Sequence, residues 1–221
     1  MPTLKDIYII GSSGHASVVT ELIEQLNEYN IVGFIDDYKN EGDVFLDYTI
    51  LGGLEYLIKI SKEKKINVAI GIGESSSREF IVNKLKGLNI TYPKLIHPSA
   101  IISKRSNISQ GTMILARSII SCNVTIGVHC LINHACCIDH DSNIRNFVTL
   151  CPNVFIAGNV DIGNNTMIGL GCNIIEKITI GKNTYIGAGS CVITDQRDNI
   201  ISFGVPAKEI KININGNRFF K

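Results

Sequence analysis

The chain has 221 residues, 45% hydrophobic and 19% charged, the composition of a protein that buries a core, which excludes a mainly disordered state. Twenty-one Lys+Arg against 20 Asp+Glu leave a formal net charge of +1, so no global basic field exists to hold the protein on nucleic acid or anionic lipid. No apolar run approaches the roughly 18 residues of a membrane span. Met1-Pro-Thr-Leu-Lys-Asp6 leads straight into a strand-like run, and a cytoplasmic protein without nucleic-acid or membrane partners is expected.

Residues 1–92 read as alternating strand and helix. The pattern predicts a strand over Ile7–Ile10, a glycine-rich turn, a helix from Ala16 to about Tyr29, and a strand over Ile31–Ile35. A helix from about Leu54 to Ile60, a strand over Asn67–Ile70 and a helix from about Ser77 to Lys86 follow. This is a small α/β parallel sheet of the Rossmann-like kind. Gly11-Ser12-Ser13-Gly14-His15 follows the first strand and opens the first helix, where backbone N–H groups and the helix dipole present a site for phosphate. Asp36-Asp37 close the second strand, a position from which a carboxylate accepts hydrogen bonds from a ribose or base. Gly71-Ile-Gly73, followed by Arg78, ends the third strand. Read separately, each is also a bare turn. Their convergence at the carboxyl ends of the strands favours a nucleotide-type ligand on Ser13, Gly14, His15, Asp36, Asp37 and Gly73.

Near Tyr92-Pro93 the pattern changes. Stepping by six from Ile96 to Val192 meets 17 consecutive aliphatic residues, 15 of them Ile. Two positions earlier in each hexad sit mostly small residues: Ala100, Ser106, Thr112, Ser118, Cys130, Cys136, Ser142, Thr166, Cys172, Thr184 and Ser190. Period six is not the 3.6 of a helix but three times the period of a strand, so one parity stays inward through each short strand before a turn. Three strands close a triangular coil of about 18 residues, with the aliphatic side chain filling the interior and the small residue expected to allow the bend. Residues 93–221 are therefore expected to form a parallel β-helix of five to six coils with a tail, and residues 1–92 the α/β domain. Residues 1–95 carry 10 basic and 13 acidic residues and 96–221 carry 11 and 7, a balance that suits an anionic ligand on the second half or a solvated surface equally.

None of the seven cysteines forms a C-x-x-C pair, and Cys130, Cys136 and Cys172 occupy the small-residue position, which favours packing over chemistry. Three of the five histidines, His129, His134 and His140, fall inside the repeat. His140 is flanked by Asp139 and Asp141, either of which can fix its tautomer and raise its basicity, as a general base near neutral pH requires. His129 and His134, with His97, also admit a reading as zinc ligands at a subunit interface, as in the γ-class carbonic anhydrases. Gly204-Val-Pro206-Ala-Lys208 follows the last coil, either as a simple stop or as a lysine that meets a phosphate group.

Together Ile9-Ile-Gly-Ser-Ser-Gly-His15-Ala, Val32-Gly-Phe-Ile-Asp-Asp37, Asp139-His140-Asp141, Ala157-Gly-Asn-Val-Asp-Ile-Gly163 and Gly204-Val-Pro-Ala-Lys208 resemble the hexapeptide-repeat acyltransferases. Within them the likeness is to the nucleotide-sugar N-acetyltransferases and sialic acid O-acetyltransferases of bacterial glycan and polysaccharide synthesis. The resemblance covers nearly the whole chain. It implies a left-handed parallel β-helix, a homotrimer, acetyl-CoA as co-substrate without a metal, and a UDP-linked 4-amino sugar as acceptor. By position it puts the catalytic histidine on His140 with Asp141 as the acid behind it, the nucleotide on the N-terminal domain, and acetyl-CoA against Thr149, Leu170, Ala188 and Lys208. One position departs: relatives commonly read Phe-Val-His where this chain reads Phe147-Val-Thr149. The alternatives are a sialic acid O-acetyltransferase, which would leave the glycine-rich edge without a nucleotide, and a non-catalytic trimeric scaffold.

Overall fold

The hexad periodicity becomes three parallel sheets, one along each side of a triangular solenoid of about six turns. The computed structural model describes residues 4–213. Their contacts divide into two compact units: the residues up to Gly73 with Ser77–Leu95, and Glu74–Ser76 with the residues from Ile96 onward.

In the first unit, β1 (Lys5–Ile10), β2 (Tyr29–Ile35), β5 (Ile66–Ile70) and β6 (Ile90–Thr91) form a parallel sheet in the order β2-β1-β5-β6. Between them run α1 (Gly14–Leu26), α2 (Leu54–Glu63) and α3 (Ser75–Lys84), with a hairpin of β3 (Val44–Phe45) and β4 (Tyr48–Thr49) after β2. α1 stops three residues before the expected end. Asn27 takes a left-handed conformation (φ 52°) and turns its N–H back to the Glu24 carbonyl, and asparagine is among the few residues that do so at low cost. Both α1 and α3 begin two residues earlier than the apolar pattern predicts, at Gly14 and Ser75. The two-residue strands β3, β4 and β6 are too short to carry a period.

In the second unit each coil meets the next in a register of 18. Ile114, Ile132, Leu150, Ile168 and Ile186 pair in one sheet; Ile102, Ile120, Ile138, Ile156, Ile174 and Val192 in the second; Ile108, Ile126, Ile144, Ile162 and Ile180 in the third. From Ile114 to Val192 these side chains are at most 3% exposed and fill the interior as a single cluster, each contributing about 1.5–3 kcal/mol by its burial.

The bend falls one residue before the position the pattern suggests. Residues three before the inward aliphatic take positive φ: Gly111, His129, Phe147, Asn165 and Asn183 at one corner, Arg117, Ala135, Asn153, Gly171 and Gly189 at the second, Asn123, Asp141, Asn159 and Lys177 at the third. From His129 to Gly189 the N–H of each such residue donates to the carbonyl 19 positions earlier, as in His129 to Gln110 (3.0 Å) and Asp141 to Cys122 (3.1 Å). The small residue that follows points inward and works as a donor. Thr112, Ser118, Cys130, Cys136, Ser142, Thr166 and Cys172 each donate to the carbonyl 15 residues on, at 2.6–3.2 Å. A buried corner carbonyl without a partner would cost about 1–3 kcal/mol, and a short Oγ–H or Sγ–H satisfies it from inside. The seven cysteines are all free thiols; burial pushes the Cys136 thiol up to about 12 and the Cys151 thiol up to about 11, so both stay protonated and unreactive.

Thr166 shows the arrangement fully, donating to the Gly181 carbonyl at 2.6 Å and accepting the Thr184 N–H at 3.1 Å. Thr166→Val keeps the shape and removes both bonds, and equilibrium urea unfolding should show a loss of about 1–3 kcal/mol. An unchanged midpoint would mean that size alone selects residues at this position.

Candidate active site

At the carboxyl edge of the small sheet, the glycine-rich loop is tied to the second strand. Asp36 Oδ2 accepts from the Ser12 N–H (2.9 Å) and Oγ (2.5 Å), and its Oδ1 accepts from the Tyr38 N–H (2.9 Å). Asp37 Oδ1 accepts from the Leu54 N–H (2.7 Å) at the start of α2, where a carboxylate meets both an unsatisfied donor and the positive end of the helix dipole. A Cβ at Gly53 would lie 2.3 Å from that same oxygen, so glycine there makes room for the cap. Asp37 thus serves α2, while Asp36 orders the loop.

Ser13 is the N-cap residue of α1 but makes no side-chain cap bond, and no acidic residue stands in the first turn. A side chain at Gly14 would meet nothing within 4 Å, whereas a Cβ at Gly73 would lie 3.8 Å from the His15 side chain, in ordinary van der Waals contact. The buried Arg78 donates to the Gly73 carbonyl (2.6 Å) and holds the loop after β5. Beside Ser12 a cleft of about 200 Å³ is lined by Lys39, Asp43, Val44, Phe45 and Ile50. Sequence reasoning found Ser12's loop but not these five. They come from an irregular stretch and the short hairpin, where no period or motif marks them.

On the solenoid, His140 and Asp141 share the third corner. His140 Nδ1 lies 2.8 Å from Asp141 Oδ2, with the two side chains 48% and 45% exposed. A carboxylate only accepts, so Nδ1 carries the proton and Nε2 of the neutral ring carries the lone pair. Asp141 is held in turn from the previous coil, its Oδ1 accepting from Asn123 Nδ2 at 2.9 Å. Asp139 does a different job: its Oδ1 accepts the His140 backbone N–H at 2.7 Å and so fixes the corner rather than the ring. The hydrogen bond to Asp141 raises the imidazole pKa above its ordinary value, with the charges of Asp139, Asp141 and Glu176 acting in the same direction. Hydrogen bonds from Asn123 and His140 lower that of Asp141. Asn123 was not singled out from sequence; its signal is the 18-residue spacing to Asp141.

The other expected positions lie elsewhere on the solenoid. Leu170 (53% exposed) and Ala188 stand on successive coils at the second corner, each just before a glycine of positive φ. Thr149 is buried on the first sheet with its Oγ1 3.1 Å from Ser75 Oγ. Lys208 begins the terminal antiparallel strand and is exposed. The histidines of the zinc reading are not gathered: His129 is buried and stacked on Phe147 (centroids 5.4 Å apart, rings inclined 5°), His97 Nδ1 lies 2.8 Å from Ser99 Oγ, and His134 is exposed at the second corner. Among the described residues no three His, Cys, Asp or Glu side chains of one chain are placed to hold a metal ion. No helix among them is long and apolar enough to cross a membrane.

Comparison with known proteins finds chains that are similar to this one. Residues 6–85 match the PglD N-terminal domain. A mutant of perosamine N-acetyltransferase from Caulobacter crescentus, solved in complex with CoA and GDP-perosamine, is 27% identical with a TM-score of 0.89, covering 95% of this chain and 98% of that one. The acetyltransferase domain of PglB from Neisseria gonorrhoeae, in complex with acetyl coenzyme A, is 28% identical with a TM-score of 0.86, covering 94% and 100%. The UDP-N-acetylbacillosamine N-acetyltransferase of Bacillus subtilis is 32% identical over 121 residues, 51% of this chain; the match spans about half (52%) of that relative's length.

Asp141→Asn replaces the carboxylate that raises the imidazole pKa with a neutral amide, a weaker acceptor without charge. The His140 ring, followed by NMR through a pH titration, should then titrate at lower pH than in the unaltered protein, and Asn123→Ala should move it in the same direction by less. An unmoved titration in Asp141→Asn would show that Asp141 does not govern the ring.

Proposed function

We propose that the chain is a hexapeptide-repeat sugar N-acetyltransferase, as its similarity to such proteins supports, and that it transfers the acetyl group of acetyl-CoA to the amino group of a nucleotide-linked 4-amino-deoxy sugar. The observation that carries this reading is the His140–Asp141 pair, with Nδ1 on the carboxylate at 2.8 Å. Its relatives act on or bind such molecules: one is named for a UDP sugar and one was solved with GDP-perosamine and CoA. We take the nucleotide here to be UDP, held at the glycine-rich edge by Ser13, Gly14, His15 and Gly73, with Asp36 ordering the loop.

In the proposed reaction Nε2 of His140 accepts a proton from the sugar amine as its nitrogen adds to the thioester carbonyl. Backbone N–H groups of the coil stabilise the tetrahedral oxyanion. Collapse breaks the carbon–sulfur bond, and the departing thiolate takes the proton from the imidazolium, giving amide and CoA thiol. Asp141 stabilises the imidazolium throughout. Because the base must be neutral, turnover rises with pH through the raised pKa of His140 and falls on the acid side.

The proposal includes a homotrimer. His140 sits at the third corner and Leu170 with Ala188 at the second, so one chain does not bring the base and the proposed acetyl-CoA groups to one corner. A neighbour rotated about a threefold axis supplies the second corner. The outward positions of the second sheet suit such an interface: Ile101, Ile119, Cys137 and Phe155 form an apolar stripe, with Ile101 64% and Phe155 50% exposed. The third sheet presents Asn107, Thr125, Asn143, Asp161 and Thr179 instead.

Thiol release from acetyl-CoA, measured against UDP-, GDP- and dTDP-linked amino sugars and free sialic acid, tests the activity. Rapid release with a UDP 4-amino sugar is expected, and His140→Ala should lower kcat by about 10²–10⁴. Activity on sialic acid alone would make the protein an O-acetyltransferase, and near-normal turnover of His140→Ala would remove the base from His140. In light scattering the protein should have three times the chain mass, and Phe155→Glu should lower that mass and the activity together.

A further inference from the structure

The ring of His140 lies over a residue one coil further on. A methyl group built on Gly158 would stand 2.6 Å from Cε1, 2.7 Å from Nε2 and 3.1 Å from Nδ1 of His140, and these three ring atoms are its nearest neighbours. Real side chains do not approach so closely, so with any residue other than glycine at 158 either the coil or the ring must move.

The coil cannot easily give way. The Gly158 carbonyl accepts from Lys177 N–H at 3.0 Å, and its neighbours Ala157 and Asn159 donate to Ile174 (3.0 Å) and His140 (2.9 Å). The ring is half exposed, and it is the part that can swing.

Nothing in the backbone asks for glycine at this position. Gly158 is not among the residues of positive φ, so alanine fits its conformation. At the same phase of the hexads, position 158 alone carries glycine between Lys104 and Lys182, and the same column holds Cys122 before His140 and Glu176 after Gly158. The absence of a side chain is used only where the neighbouring coil carries an imidazole.

We propose that Gly158 is a positioning residue: by lacking a Cβ it forms the seat on which the His140 ring lies while its Nδ1 stays on Asp141. This rests on the reading of His140 as the general base. A displaced ring would lose both the aim of Nε2 and the hydrogen bond behind it, and the groups that face it, Asp139, Asp141 and Glu176, would act on it less.

The test is Gly158→Ala in the full chain. Its thermal midpoint should match that of the unaltered protein, since the strain is relieved at an exposed side chain. kcat should fall by about 10²-fold, the scale of a misplaced catalytic group, with KM for acetyl-CoA nearly unchanged. In NMR the His140 ring of Gly158→Ala should titrate at lower pH, towards an ordinary imidazole, a readout independent of turnover. In the His140→Ala background the same substitution should cost nothing further. An unmoved titration, or an additional loss in that background, would overturn the seat while leaving His140 as base. Normal turnover of His140→Ala would instead overturn the base, and the role of Gly158 with it.

Discussion

The structure depends on the register of 18 between successive coils. Each strand of the solenoid is only two residues long, far too short to be stable alone, and it persists because its backbone groups are paired above and below by the same element one coil away. Once that register is set, the inward Ile of each coil lies on the inward Ile of the next, and the interior is a column of identical side chains rather than a mosaic. A shift of one residue would turn every Ile outward. The aliphatic hexads and the hydrogen-bonded rungs therefore enforce the same alignment.

The register also settles what happens at the corners. Turning three times in 18 residues forces the chain into the left-handed region once per side, at a cost of roughly 1–2 kcal/mol for an ordinary residue. Asparagine and glycine fill many of these positions, but Arg117, Ala135, Phe147 and Lys177 do not lower the cost in that way. What holds them is the N–H that each donates back to the preceding coil, joined at Arg117 and Ala135 by the buried Ser118 and Cys136 that follow and reach the carbonyl 15 residues on. The conformational cost is thus met by satisfied polar groups in a low-dielectric interior. Cys130, Cys136 and Cys172 take part as donors, and it is burial that pushes the Cys136 and Cys172 thiols above their ordinary pKa and keeps them protonated.

Much of this was legible in the sequence, and the limits of legibility are physical. The hexads announce the solenoid because burial repeats at a fixed period, and Asp139-His140-Asp141 announces an imidazole beside carboxylates, whose Nδ1 the structure places 2.8 Å from Asp141 Oδ2. The position of the bend was not legible: a small residue next to a turn looks like the turn itself, and only geometry distinguishes the donor from the residue of positive φ. Asp36 and Asp37 show the same ambiguity. Both end a strand beside a glycine-rich loop, yet one orders that loop and the other caps α2, a choice fixed by Gly53 and Leu54 seventeen residues away. The end of α1 at Asn27 was hidden because an amphipathic pattern continues past a residue that leaves the helix. Thr149 looked like a weakened ligand position, and in the structure its hydroxyl meets that of Ser75.

The proposed chemistry draws on the same constraint as the fold. In a globular domain, a residue that orients a catalytic side chain can come from anywhere; on a solenoid, the neighbours of a corner side chain are those 18 residues before and after its own stretch of chain. Asn123 reaches Asp141, and Gly158 underlies His140, because each pair differs by 18. The environment of the ring is therefore written into three consecutive coils, the first supplying the donor that fixes the carboxylate, the second the pair itself, and the third an absence of side chain. Such a ladder has no lateral reach: it cannot bring Leu170 or Ala188, at another corner, to His140. Under the proposed function, a chain built this way tunes a base along its axis, and a second copy supplies what lies across from it. The axial spacing thus governs the basicity of His140, and the assembly proposed for this chain governs which molecule meets it.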